Sequence, residues 1–135
     1  MGRAQGALTL SDTTVAPSLR ILYVEDNSLV REVTSELLTQ DGRKVVALGS
    51  AEEALEAFRS NPYDVLITDV SLPAMSGVDL ARTLLREHPK LPIIIASGYS
   101  LDFGSERWGR NVRTIIKPFE SDEINALITE VSKPS

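Results

Sequence analysis

The stretch Val65 to Gly77, VLITDVSLPAMSG, decides the fold. Val65, Leu66, Ile67 and Thr68 form an apolar, β-favouring run that stops at a carboxylate, Asp69; a Pro-containing loop then leads to Ser76-Gly77 and a helical pattern. This is the signature of a buried strand turning into a helix. In open parallel α/β sheets, ligands bind outside the carboxyl ends of the strands, because the βα loops vary there above a rigid base. Asp69 therefore sits where chemistry is expected.

Working outward, Leu19 to Val24 is a second β-type run, and it too ends in acids, Glu25 and Asp26. Asn27-Ser28 suits a helix cap, and Leu29, Val30, Val33, Leu37 and Leu38 follow at helical spacing until Asp41-Gly42. Lys44 to Leu48 is a short strand. Ser50 and Glu53 make a capping-box pattern before Ala54, Leu55 and Phe58, the buried stripe of a helix that stops at Asn61-Pro62. Beyond the central stretch, Ser76 and Asp79 signal a further cap, Val78, Leu80, Ala81, Leu84 and Leu85 continue the helix, and His88-Pro89 closes it. Leu91 to Ala96 (LPIIIA) is an unbroken apolar run, as expected of a strand covered on both faces, and delivers Ser97-Gly98. A short helix is expected over Ser100 to Trp108. Val112 to Ile116 is the fifth strand, ending in Lys117-Pro118-Phe119, and the last helix runs from Ser121 with Ile124, Leu127, Ile128 and Val131 on its apolar face.

Alternating strands and helices with short connections require a parallel sheet with right-handed crossovers. The expected fold is α/β, a five-stranded flavodoxin-like doubly wound sheet in the order 2-1-3-4-5. That order sets the first and third strands side by side. Glu25, Asp26 and Asp69 then share one rim, joined by Ser97 and Lys117 from the fourth and fifth strands.

The chain has 135 residues, no Cys and a single His, His88, which leaves no Cys-based or His-rich metal site and no disulfide. A net charge of −5 with no basic patch argues against direct nucleic-acid binding. No apolar run approaches the roughly 18 residues of a membrane span, and residues 1–18, rich in Gly, Ala, Ser and Thr, read as a flexible segment or linker without a signal-peptide core. The expected location is cytoplasmic.

Three carboxylates in one cleft repel one another and attract a cation; an all-oxygen donor set at a shallow rim suits Mg²⁺. An ammonium (Lys117) and a hydroxyl (Ser97) beside them supply what a transferring phosphoryl group needs, with Asp69 as the nucleophile. The acyl phosphate so formed adds charge that draws in Lys117 and Ser97.

Glu25-Asp26, Asp69 with Pro73 and Gly77 after it, Ser97-Gly98, and Lys117-Pro118-Phe119, in this order and on these strands, resemble the receiver domain of two-component response regulators. The resemblance spans about Leu19 to Val131 and implies a receiver domain over 19–132 with a short tail, 133–135. It implies that Asp69 accepts phosphate from a histidine kinase or a histidine phosphotransfer protein. It further implies direct Mg²⁺ ligation by Asp26 and Asp69, a backbone carbonyl ligand from Ser71, a water-mediated contact from Glu25, phosphoryl contacts from Ser97 and Lys117, and a cis Lys117-Pro118 peptide. Output is expected through protein contact, with a downstream partner, covalently linked domains or a second copy in a homodimer. Thr114 departs from the pattern, since many family members carry an aromatic residue there. The SGY after the fourth strand and the weak periodicity of Tyr99 to Asn111 are more similar to receivers fused to hybrid histidine kinases.

Plainer roles compete for each residue: a capping acid for Asp69, a solvated rim charge for Glu25, a turn hydroxyl for Ser97, a surface amine for Lys117. Ser71 and Tyr99 flank the cleft as water-controlling groups or as ordinary loop residues. Trp108 is expected to pack and His88 to be an exposed helix end. Two other functions remain. An Asp-nucleophile, Mg²⁺-dependent phosphatase of the haloacid dehalogenase type would want an Asp two residues after its nucleophile, where Ser71 stands, and length for a cap domain. A phosphate-independent binding module would lack a key residue, and a flavin site would be repelled by Glu25-Asp26.

Overall fold

The aliphatic runs form five strands in the computed structural model, which describes residues 18–100 and 108–133. These are β1 (Arg20–Val24), β2 (Lys44–Leu48), β3 (Val65–Asp69), β4 (Ile93–Ser97) and β5 (Val112–Ile116). All pair in parallel, in the order β2-β1-β3-β4-β5. The register sets Val24 beside Thr68, Asp69 beside Ala96 and Ser97 beside Ile116. The residues that follow each strand therefore meet at one rim.

Among the described residues, three α-helices connect strands, α1 (Ser28–Leu38), α2 (Ala51–Ser60) and α3 (Gly77–Glu87), and a fourth, α4 (Ser121–Val131), follows β5. Alternate residues of the strands face opposite layers. Leu22, Leu66, Ile93 and Ile95 pack with Ala54, Phe58, Leu80 and Leu84 of α2 and α3, while Ile21, Tyr23, Ile67 and Ile94 pack with Leu38, Ile124 and Ile128 of α1 and α4. Each fully buried Leu or Ile stabilises by roughly 1.5–3 kcal/mol, so β1, β3 and β4 make a rigid base for their ends.

Three helix starts use the anticipated side chains. Asn27 accepts from the Val30 N–H at 3.0 Å, Ser50 from the Glu53 N–H at 3.2 Å and Ser76 from the Asp79 N–H at 3.1 Å. The Glu53 carboxylate reaches back to the Gly49 N–H and the Ser50 hydroxyl, one residue further than a capping box requires. A full capping box instead opens α4, between Glu120 and Glu123.

Two boundaries and one face differ from expectation. β4 begins at Ile93, because Pro92 has no N–H for the ladder and contributes only its carbonyl, to Leu66. Arg20, not Leu19, opens β1. The α1 stripe is not a buried face: Leu38 is buried, whereas Leu29 is 69% and Val33 59% exposed and Val30 is exposed as well. α1 borders the edge strand β2 and α4, so only its C-terminal end reaches the core. The helix expected over Ser100 to Trp108 lies almost wholly outside the described residues; Trp108 itself packs, partly buried, against the α2–α3 layer.

Candidate functional site

Each rim residue is placed by the end of a strand. Glu25 follows β1; its N–H completes the ladder to Leu48 at 3.0 Å, and its side chain is buried. One carboxylate oxygen accepts from the Asn27 N–H at 3.2 Å, and the other lies 3.1 Å from Lys117 Nζ. Asp69, the last residue of β3, is buried and lies 3.3 Å from the same Nζ. Asp26 is exposed, and one oxygen from each of the three carboxylates falls within 4.8 Å of the others.

Lys117 arrives from the opposite side of β3, across the end of β5, with a cis peptide to Pro118. Its N–H donates to the Ser97 carbonyl at 2.7 Å, so the tips of β4 and β5 are joined. Ser97 is buried, and its hydroxyl accepts from the Tyr99 N–H at 3.2 Å. Ser71 is exposed in the loop after β3 and makes no hydrogen bond among the described residues. Thr114 is exposed on β5.

Burial pulls the Lys117 ammonium down, but the hydrogen bond to Glu25 and the negative charges of Asp69 and Glu25 outweigh it and hold its pKa above the ordinary lysine value. Beneath the rim, burial pushes the Tyr23 phenol up to about 12 despite its hydrogen bond with Thr34. Three carboxylates face one ammonium at the rim, so negative charge is in excess there. The donors are all oxygen, so the residues present fit a hard cation such as Mg²⁺.

The backbone beneath Asp69 is crowded. A Cβ on Gly77 would stand 2.0 Å from the Asp69 carbonyl oxygen and 3.0 Å from the Thr68 hydroxyl, so the start of α3 can lie against the end of β3 only because residue 77 has no side chain. Thr68 donates to the Asp69 carbonyl at 3.0 Å, and Gly77 N–H to that of Val70 at 3.0 Å. One participant escaped the sequence reading. Arg31, on α1, donates from Nη1 to the Glu25 carbonyl at 2.7 Å.

A model of the response regulator receiver domain matches residues 21–129. The chain belongs to that family. This receiver is 36% identical over 95 residues to the sensor protein TorS of Escherichia coli K12, an alignment covering 70% of this chain and 10% of TorS. It superposes on the receiver domain of the hybrid histidine kinase CckA with a TM-score of 0.71 at 28% identity, covering 84% of this chain and 99% of that one. The response regulator TrrA of Thermotoga maritima, solved in complex with Mg²⁺-BeF, gives a TM-score of 0.74 at 29% identity, over 84% of this chain and 98% of TrrA. The receiver spans between a tenth and about half the length of the curated relatives it matches. Family membership assigns it to two-component phosphoacceptor signalling, as a regulatory domain. Among the described residues, no helix is long and apolar enough to cross a membrane.

Proposed function

We propose that Asp69 is the phosphoacceptor of this receiver, and that it takes a phosphoryl group from the phosphohistidine of a kinase or phosphotransfer protein with Mg²⁺ held by Asp26, Asp69 and the Ser71 carbonyl. The observation that carries this reading is Lys117 Nζ lying 3.1 Å from Glu25 and 3.3 Å from Asp69 beside the exposed Asp26. An Asp69 oxygen attacks phosphorus in line, the P–O bond forms as the P–N bond breaks, and the leaving imidazole takes up a proton. Bound Mg²⁺ supplies charge neutralisation to the phosphoryl oxygens. Lys117 then pairs with those oxygens, Glu25 keeps it oriented and touches the metal through water, and the Ser97 hydroxyl exchanges the Tyr99 N–H for the phosphoryl group. TrrA, crystallised with Mg²⁺-BeF, supports the same occupancy here.

The donor is a protein. Leu29, Val30 and Val33 form an exposed apolar stripe on the helix that starts two residues after Asp26, and such a patch beside a reacting group suits a docked helical surface better than a small phosphate ester. Output passes by protein contact from the ends of β4 and β5, to linked domains or to a separate partner. Acetyl phosphate with Mg²⁺, followed by intact-mass measurement, tests the assignment. One phosphoryl adduct is expected on the natural chain and none on Asp69→Asn; an adduct that survives the substitution moves the site elsewhere, and steady turnover of many phosphate esters would identify a phosphatase.

A further inference from the structure

We propose that Arg31 is a positioning residue that sets the geometry of the acidic cleft, and that Gly49 is glycine to leave room for its guanidinium. The inference rests on the reading of the cleft as a Mg²⁺ site.

The three carboxylates are not held equally. Asp69 is fixed by β3 and Lys117, and Glu25 by Lys117 and the Asn27 N–H. Asp26 is exposed and makes no side-chain hydrogen bond among the described residues, so its direction is inherited from the Glu25-Asp26 peptide. The carbonyl of that peptide is the one Arg31 Nη1 holds at 2.7 Å. Arg31 is itself anchored, its own carbonyl accepting from the Ser35 hydroxyl at 2.6 Å within α1.

The guanidinium is confined from the other side by the loop after β2. A Cβ on Gly49 would stand 2.9 Å from Arg31 Nη1 and 3.7 Å from Cζ, with the next nearest atom, Glu53 Oε1, at an ordinary 3.8 Å. The Gly49 N–H is bound to the Glu53 carboxylate at 3.3 Å, and because a Cβ there would meet the far end of a flexible side chain, it is the guanidinium that would shift. Arg31 thus bridges two βα loops, and the bridge ends on the peptide that aims Asp26.

Two effects of the guanidinium oppose one another. Its charge repels a cation in the cleft, and its hydrogen bond preorganises a ligand for one. Groups that orient metal ligands are worth about 10–100-fold in affinity, whereas a partly solvated charge beyond direct contact is screened; the positioning effect wins.

The experiment is Mg²⁺ titration by calorimetry on the whole chain, with thermal melts of each variant alongside. Arg31→Ala is expected to weaken Mg²⁺ binding about tenfold, and Gly49→Ala, which keeps every charge and only displaces the guanidinium, is expected to weaken it less. In an Arg31→Ala background, Gly49→Ala should add no further loss, since the guanidinium atoms nearest the new methyl are gone. Arg31→Lys, which leaves the loop backbone alone and retains the charge, should also weaken binding, and carries the test if Gly49→Ala does not fold. Unchanged Mg²⁺ affinity with lowered melting points makes Arg31 merely structural and overturns the proposal. Tighter binding by Arg31→Ala overturns it in favour of a competing cation. Additive losses in the double variant remove the role given to Gly49. A natural chain that takes up no Mg²⁺ overturns the metal reading and this inference with it, which separates that failure from the others.

Discussion

At the carboxyl end of the sheet, Glu25, Asp69 and Lys117 stand at the ends of three different strands, with the Lys117 ammonium 3.1 Å from Glu25 and 3.3 Å from Asp69, and the two acids are buried. At the amino end, Lys90, Arg110, Arg113 and Lys133 line a groove from turns, the start of β5 and the end of α4, and of these only Arg113 is in an ion pair among the described residues, with Glu130 at 3.2 Å. Both ends are charged, yet only one is coupled. Where charges are withdrawn from water, each sets the cost of the next, so removing one disturbs all; where they are solvated, each is nearly independent. The carboxyl end is therefore built as a unit, and the amino end as a collection.

The largest effect that separates the two ends is steric. Gly77→Ala drives a methyl group into the Asp69 carbonyl, and an overpacked site of this kind costs roughly 1–3 kcal/mol or more. The urea midpoint should fall and the phosphoryl adduct on Asp69 should be lost with it. A variant of full stability and normal phosphorylation would mean that the junction of β3 and α3 is looser than it is here.

Next in size is the pH dependence contributed by Lys117. Its pKa is raised in the folded protein, so its stabilisation is complete below the unfolded value of about 10.4 and is lost as pH rises through the higher folded value. The stability difference between the natural chain and Lys117→Met should be constant near neutrality and shrink above that point. A difference that stays flat through strong alkali would show that Lys117 contributes packing and not charge.

The smallest effect belongs to the amino end. Arg113→Ala breaks an exposed pair with Glu130 and should cost no more than about 1 kcal/mol, with the yield of acyl phosphate unchanged. A loss of phosphorylation there would break the contrast between the two ends.

Much of this was legible in the order of residues. The apolar run within LPIIIA read as a strand covered on both faces, and its Ile93 to Ala96 is one; acids or a lysine at the ends of three runs converge in a parallel sheet of order 2-1-3-4-5. Periodicity failed where partners matter. Leu29, Val30 and Val33 have the spacing of a core-facing helix, yet spacing cannot say whether a helix lies over a sheet's middle or its edge, and α1 borders the edge strand β2. Pro92 shortened β4 for a reason readable in advance, its missing N–H, although the apolar run concealed it. Arg31 was invisible because a lone cation in a helix reads as solvated; the only trace was Gly49, and a glycine that spares space for a distant side chain looks like any turn glycine. Glu120 failed as a cap signal because glutamate is an uncommon first residue for a capping box.

The 2.7 Å bond from the Lys117 N–H to the Ser97 carbonyl has a mechanical consequence. The residue that carries the ammonium follows the register partner of the one that carries the hydroxyl, and this main-chain bond joins them where the sheet ends. Pulling the Ser97 peptide toward the cleft drags the Lys117 backbone, and anything that tugs Lys117 returns the strain to β4. The two strand tips are therefore tied through the main chain, so a displacement of either one is passed to the other.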